Sequence, residues 1–218
     1  FQPGTVGTAQ TDLTAAIGAV NAGPGTPIPA IFDGSLDLYQ ASLGGAIPPG
    51  TYDVPAATTA NLIGTLVLDG NGSNTAVWRF RFSSTLVTEE GSNVTVTDVG
   101  DGAGVGLYWT VVSAATLNGD TFAGNVLANA LISSNGGLTI TCGRLLSADA
   151  NVTLIEDTIS LGCAEFGSIG SGGFDQGNPN TGAPSASAVP EPATLTLLAT
   201  GLVAAARWKR RRIASCRP

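Results

Sequence analysis

The chain has 218 residues but no histidine, no methionine and a single lysine, Lys209. The missing histidine removes the commonest general base and metal ligand at neutral pH. Lys, Glu, Gln and Met, which favour helices, are scarce or absent, so a helical bundle is not expected. Charged residues make up only 11%, yet 43% of residues are hydrophobic, too many for a disordered chain. Basic side chains are almost missing from the body: residues 1–190 carry Arg79, Arg81 and Arg144 against 15 acids, a net of −12. Such a surface repels phosphate backbones, and no nucleic-acid partner is expected. A sequence without methionine that opens on Phe1 is expected to be a fragment or a processed form, so the lack of a leading signal peptide carries no weight.

Three cysteines are present. Cys142 and Cys163 fall in the predicted fold, about one repeat apart. In an exported protein they are candidates for a disulfide, with two buried free thiols as the alternative. A thiolate metal site would need more ligands than the chain offers. No metal and no cofactor are expected.

What the chain does have is 30 Gly, 12 Pro and a middle rich in Val, Thr and Ile, the composition of an all-β fold with many turns. One helix is predicted ahead of the C-terminal tail, over residues 9–22, where Leu13, Ala16, Ile17 and Val20 form a single apolar stripe. Gly23-Pro24-Gly25 ends it, and the stripe is expected to pack on the domain. Residues 24–60 read as turn-rich. From 61 to 161 short apolar or alternating runs are separated by Gly, Asn and Asp turns.

Three segments share one rhythm: VGLYWTVVSAATLNGDT (105–121), FAGNVLANALISSNGGLTIT (122–141) and CGRLLSADANVTLIEDTIS (142–160). A longer unit starts VWRFRFSSTLVTEEGSNVTV (77–96). Such a repeat is the signature of a β-helix, in which stacked rungs bury a column that one rung could not bury alone. Leu66, Leu68, Leu117, Val126, Ile132, Leu138, Ile140, Val152 and Leu154 are the expected inward residues. A β-sandwich with irregular loops is the competing architecture.

Residues 167–188 are Gly/Ser/Pro/Asn-rich and read as a flexible linker. Val189-Pro190-Glu191-Pro192 follows, then the apolar stretch 193–206, then a basic cluster of Arg207, Lys209, Arg210, Arg211 and Arg212. As a helix that stretch is about 21 Å long, short of the ~30 Å of a bilayer core unless Trp208 and a snorkelling Arg207 extend it. The charges after it predict a cytoplasmic C-terminus. Pro-Glu-Pro, short apolar helix and Arg cluster together resemble a PEP-CTERM sorting signal. The resemblance implies transient anchoring in the inner membrane, cleavage by an exosortase and delivery to the cell surface or extracellular matrix.

The domain itself resembles the ice-binding-protein-like family. The stretches that carry the likeness are PGTV (3–6) with the helix QTDLTAAI, LGGAIPPGTY (43–52), LIGTLVLDG (62–70), AVWRFRFSSTL (76–86), GLYWTVVSAATL (106–117), TFAGNVLA (121–128) and CGRLLSADANVTLIEDTIS (142–160), in the family's order. The resemblance implies a right-handed β-helix of triangular section with one α-helix packed alongside, here followed by a C-terminal hydrophobic helix. Three regions result: a solenoid over 1–166, the linker over 167–188 and the sorting signal over 189–212. Members of the family usually carry a strand-rich segment ahead of PGTV. Its absence leads us to expect an uncovered rung edge at the start of the solenoid.

Ice binding, the activity this resemblance implies, needs a rigid wall of regularly spaced small groups. The candidates are Thr85, Thr88, Thr116, Asn118, Thr121, Ser133, Thr139, Thr153 and Thr158. Against them stand Glu89, Glu90, Asp120, Glu156 and Asp157 in or beside the same segments, since carboxylates stay strongly hydrated. The alternative is a structural or adhesive protein of the exopolysaccharide matrix. An enzyme is not expected: Glu89-Glu90 and Glu156-Asp157 are sequence neighbours and point to opposite faces of a strand. Arg79 and Arg81 read as a solvated strand face. Asp98 and Asp101, around Gly100 and Gly102, suggest a turn rather than a calcium loop.

Overall fold

Alternation along single strands sets the interior: in VWRFRF every second side chain, Trp78, Phe80 and Phe82, is buried. The computed structural model describes residues 3–100, 102, 104–141 and 143–159, all within the unit Phe1–Pro184. Cys142, Cys163, Asp101, the linker and the whole sorting tail lie outside the described residues.

The chain opens with α1 (Pro3–Val20), β1 (Thr26–Pro27), a 3-10 turn at Ala30–Phe32 and α2 (Leu36–Ser42). A first rung follows with β2 (Gly50–Val54) and β3 (Thr65–Asp69). The second rung has β4 (Val77–Phe82), β5 (Leu86–Thr88) and β6 (Asn93–Thr97). The third has β7 (Gly106–Val111), β8 (Ala115–Leu117) and β9 (Thr121–Ala123). The fourth has β10 (Asn125–Ala128), β11 (Ile132–Ser134) and β12 (Thr139–Thr141), and the fifth β13 (Leu145–Ser147), β14 (Val152–Thr153) and β15 (Thr158–Ile159).

Equivalent strands of successive rungs pair in parallel and stack into three sheets. Their orders are β1-β2-β4-β7-β10-β13, β14-β11-β8-β5 and β15-β12-β9-β6-β3, here termed the helix-backed, narrow and broad sheets. Three parallel sheets make the triangular β-helix and exclude the antiparallel sandwich. From Phe80 to its partner Trp109 is 29 residues, but from Trp109 to Val126 only 17. The shortening comes at the corner after the broad sheet, where Gly124 alone joins β9 to β10. Its φ is +93°, and an added Cβ would sit 2.5 Å from the Leu107 side chain, so only glycine fits there.

An aromatic ladder runs through the core. Tyr52 stacks on Phe80 at 5.4 Å, Phe80 on Trp109 at 4.5 Å, and Trp109 meets Phe122 at 4.9 Å. The buried Trp78 and Trp109 indoles donate to Ile47 O (3.0 Å) and Ala123 O (2.8 Å), so neither N–H is orphaned. Leu66, Leu68, Leu117, Val126, Ile132, Leu138 and Ile140 are buried as expected. Val152 pairs with the buried Ile132 but is 40% exposed in the last described rung, and Leu154 is half-buried.

The predicted helix forms, though over Pro3–Val20 rather than 9–22. Its stripe packs as expected: Leu13, Ala16, Ile17 and Val20 lie on Tyr108, Leu127 and Leu146 of the helix-backed sheet. Arg81 departs from its reading as a solvated cation. It pairs with Asp53 at 2.6 Å and donates to Asn21 O and Gly23 O, the carbonyls just past the end of α1.

The opening edge of the solenoid is also not bare. β1 pairs with β2 and ends in Pro27, which has no N–H to offer a further strand. The edge of β3 is met by the Gln40 side chain, whose amide accepts from Val67 N and donates to Thr65 O, and by Ile47. Gln40 belongs to α2, a helix within the stretch read as turns. Its start is marked by Ser35, which accepts from Leu38 N at 3.3 Å.

Candidate functional site

A side chain one residue out of phase with the core column must face outward, so each sheet has an outer wall. The outer wall of the helix-backed sheet is covered by α1. Among the described residues the other two are open, except where Gln40 and Ile47 meet β3.

On the narrow sheet, strands of two or three residues leave one outward position each: Val87, Thr116, Ser133 and Thr153, in register. The broad sheet carries a longer column, Thr65–Asn93–Thr121–Thr139–Thr158, in register through five rungs. At ~4.8 Å per strand this column spans about 19 Å. Beside it lie Val67 paired with Thr95, and Thr141, whose partner Ala123 is buried. Asp69 and Thr97 close the far margin.

The Thr side chains of the broad wall are held in place. Being β-branched, they have few rotamers. Three of their hydroxyls also reach back to the preceding rung: Thr121 Oγ1 donates to Asn93 Oδ1 at 2.7 Å, Thr97 to Leu68 O and Thr141 to Phe122 O, the last two at 3.4 Å. The one carboxylate among these outward strand positions, Asp69, accepts from Asn71 N at 2.9 Å within its own turn.

The nine predicted residues therefore divide. Thr121, Thr139 and Thr158 share the broad wall, and Thr116, Ser133 and Thr153 the narrow one. Thr85 and Asn118 sit at corners, half-buried. Thr88 points inward, is 1% exposed, and accepts from Asn118 N at 3.0 Å. It lies two residues after the buried Leu86 and so shares its face, a signal already present in the sequence. The same parity with Leu66 and Val94 picks out Thr65, Asn93 and Thr95, which are not among the nine.

The acids lie at corners. Glu89, Glu90, Asp120 and Glu156 are exposed in the turns between narrow and broad sheets. Asp157 instead holds that corner together, accepting from Leu138 N at 3.0 Å and from Ser134 Oγ. Asp98 and Gly100, with φ of 51° and 61°, form a left-handed turn. Among the described residues no helix is long and apolar enough to cross a membrane.

A family model described as Ice-binding-like matches residues 2–160, and a PEP-CTERM protein-sorting motif matches residues 188–212. An ice-binding protein of Nostoc sp. (strain HG1) is 36% identical over 129 residues, 58% of this chain and 46% of that protein. The chain thus spans under half of that relative's length. The ice-binding protein of the Antarctic ascomycete Antarctomyces psychrotrophicus has a similar crystal structure. Its TM-score is 0.56 at 30% identity, covering 72% of this chain and 71% of that one. An ice-binding protein from an Antarctic Flavobacteriaceae bacterium gives 0.54 at 26% identity, covering 70% of this chain and 34% of that one.

Proposed function

Because the chain belongs to the ice-binding-like family, we propose that it is an exported, non-enzymatic protein that binds ice through the outer wall of its broad sheet. The observation that carries this is the five-rung column Thr65–Asn93–Thr121–Thr139–Thr158, uncharged and in register. One Thr holds ice weakly. Many Thr on one rigid wall bind together, because the wall is ordered before it meets the ice and little entropy is lost on contact. The narrow wall offers one outward residue per strand over four rungs, a smaller array.

The sorting motif over 188–212 supports a route of export. In it, the apolar stretch 193–206 anchors the precursor in the inner membrane with Arg207 and Lys209–Arg212 on the cytoplasmic side. An exosortase then cuts near Pro190–Pro192, and the solenoid of residues 1–166 leaves with its linker, 167–188. The same motif favours a second reading, in which the rigid solenoid serves the exopolysaccharide matrix as a structural or adhesive element.

Recrystallisation inhibition separates the two. Thr139→Tyr should abolish the activity while the circular dichroism spectrum stays unchanged, and Thr116→Tyr on the narrow wall should leave activity intact. Ice grains that coarsen with the unaltered protein as fast as in buffer would end the ice reading. Loss confined to Thr116→Tyr would move the site to the narrow wall.

A further inference from the structure

Three Asn-Gly pairs occur in the described chain, and the fold treats them differently. Asn118-Gly119 is locked: Asn118 N donates to Thr88 O and Oγ1, and Gly119 N to the same hydroxyl at 3.3 Å. Asn71-Gly72 is exposed, but Gly72 N donates to Asp98 O at 2.8 Å and Asn71 N to Asp69 Oδ1. Asn135-Gly136 lies in the exposed turn between β11 and β12. Among the described residues neither the Asn135 side chain nor the Gly136 N–H has a hydrogen-bond partner.

Gly136 is also irreplaceable by the backbone's own demand. Its φ is +111°, and an added Cβ would lie 3.0 Å from Ile155 O. The corner therefore requires, directly after an exposed Asn, the residue whose unbranched backbone nitrogen attacks a side-chain amide with least hindrance.

We propose that Asn135-Gly136 is a spontaneous modification site, converting to aspartate and isoaspartate under conditions in which Asn71 and Asn118 persist. Hydroxide takes the Gly136 N–H proton, the nitrogen attacks Asn135 Cγ, and the Cγ–Nδ2 bond of the side-chain amide breaks. Ammonia leaves with a proton taken from solvent, and a five-membered succinimide remains. One water opens the ring at either carbonyl. Attack at the side-chain carbonyl gives isoaspartate's reversed partner, aspartate, and attack at the backbone carbonyl gives isoaspartate. No oxidant or reductant takes part.

The position gives the change a consequence. The equivalent corners of the neighbouring rungs carry Glu89 and Glu90, Asp120 and Glu156, whereas 135–138 reads Asn-Gly-Gly-Leu. Conversion thus extends a line of carboxylates past the only uncharged corner between narrow and broad sheets in rungs two to five, the corner that leads into Thr139. The chemistry is independent of ice binding; only its effect on the wall rests on that reading.

The test holds the full chain at mildly alkaline pH and follows each Asn-Gly peptide by mass spectrometry. Asn135 should convert about tenfold faster than Asn71 or Asn118, because their glycine N–H groups must first break a hydrogen bond. In urea the three rates should converge. Conversion of Asn71 or Asn118 as fast as Asn135 in the folded chain would overturn the proposal. So would an Asn135 that stays intact in the fold over a time in which it converts in urea.

Discussion

The helix-backed and broad walls share one backbone plan, parallel strands in register around the same column, and have opposite fates. Outward from the first stand Tyr108, Leu127 and Leu146, which water solvates poorly, and α1 covers them. Outward from the second stand Thr, Asn and Val, and among the described residues only the margin at β3 is met by α2. The outward positions do not build the solenoid, yet their chemistry decides whether a wall becomes a second interior or a surface. Size matters more than polarity alone, since Arg81 also lies under the end of the helix, satisfied by Asp53 and two carbonyls.

That contrast can be tested by unfolding. The largest expected loss is for Leu127→Ala, which empties the contact between α1 and its wall. About 2–4 kcal/mol is expected in urea titration, as for other buried leucines. Arg81→Ala comes next, at about 1–2 kcal/mol, because it leaves Asp53 unpaired and strips the end of α1 of two hydrogen bonds. The smallest effect belongs to the open wall: Thr139→Ala should move stability by no more than about 0.5 kcal/mol. A broad-wall substitution as costly as Leu127→Ala would mean that this wall is structural, and the contrast between the two walls would fail.

Much of this was legible beforehand. The stripe Leu13-Ala16-Ile17-Val20 identified a packed helix, because four apolar residues on one side have no other use. Seven of the nine expected inward aliphatics are buried, since alternation is a property of each strand by itself. Thr88 was misread for want of the same rule. α2 was missed because seven residues between glycines carry too little periodicity to stand out from turns. Its task, closing the β3 edge with the Gln40 side chain, is a long-range contact with no local trace.

Taken alone, the sequence determined which side of each strand faces the core, that the rungs must stack, and that a sorting motif follows the domain. Only the tertiary structure decided which outward residues stand above one another. Parity is written within three to six residues of chain. Register between rungs depends on corners that differ in length, so that strands 17 and 29 residues apart come to the same spacing. The division of Thr116 and Thr121 between different walls, though they are near neighbours in the chain, is a product of that folding.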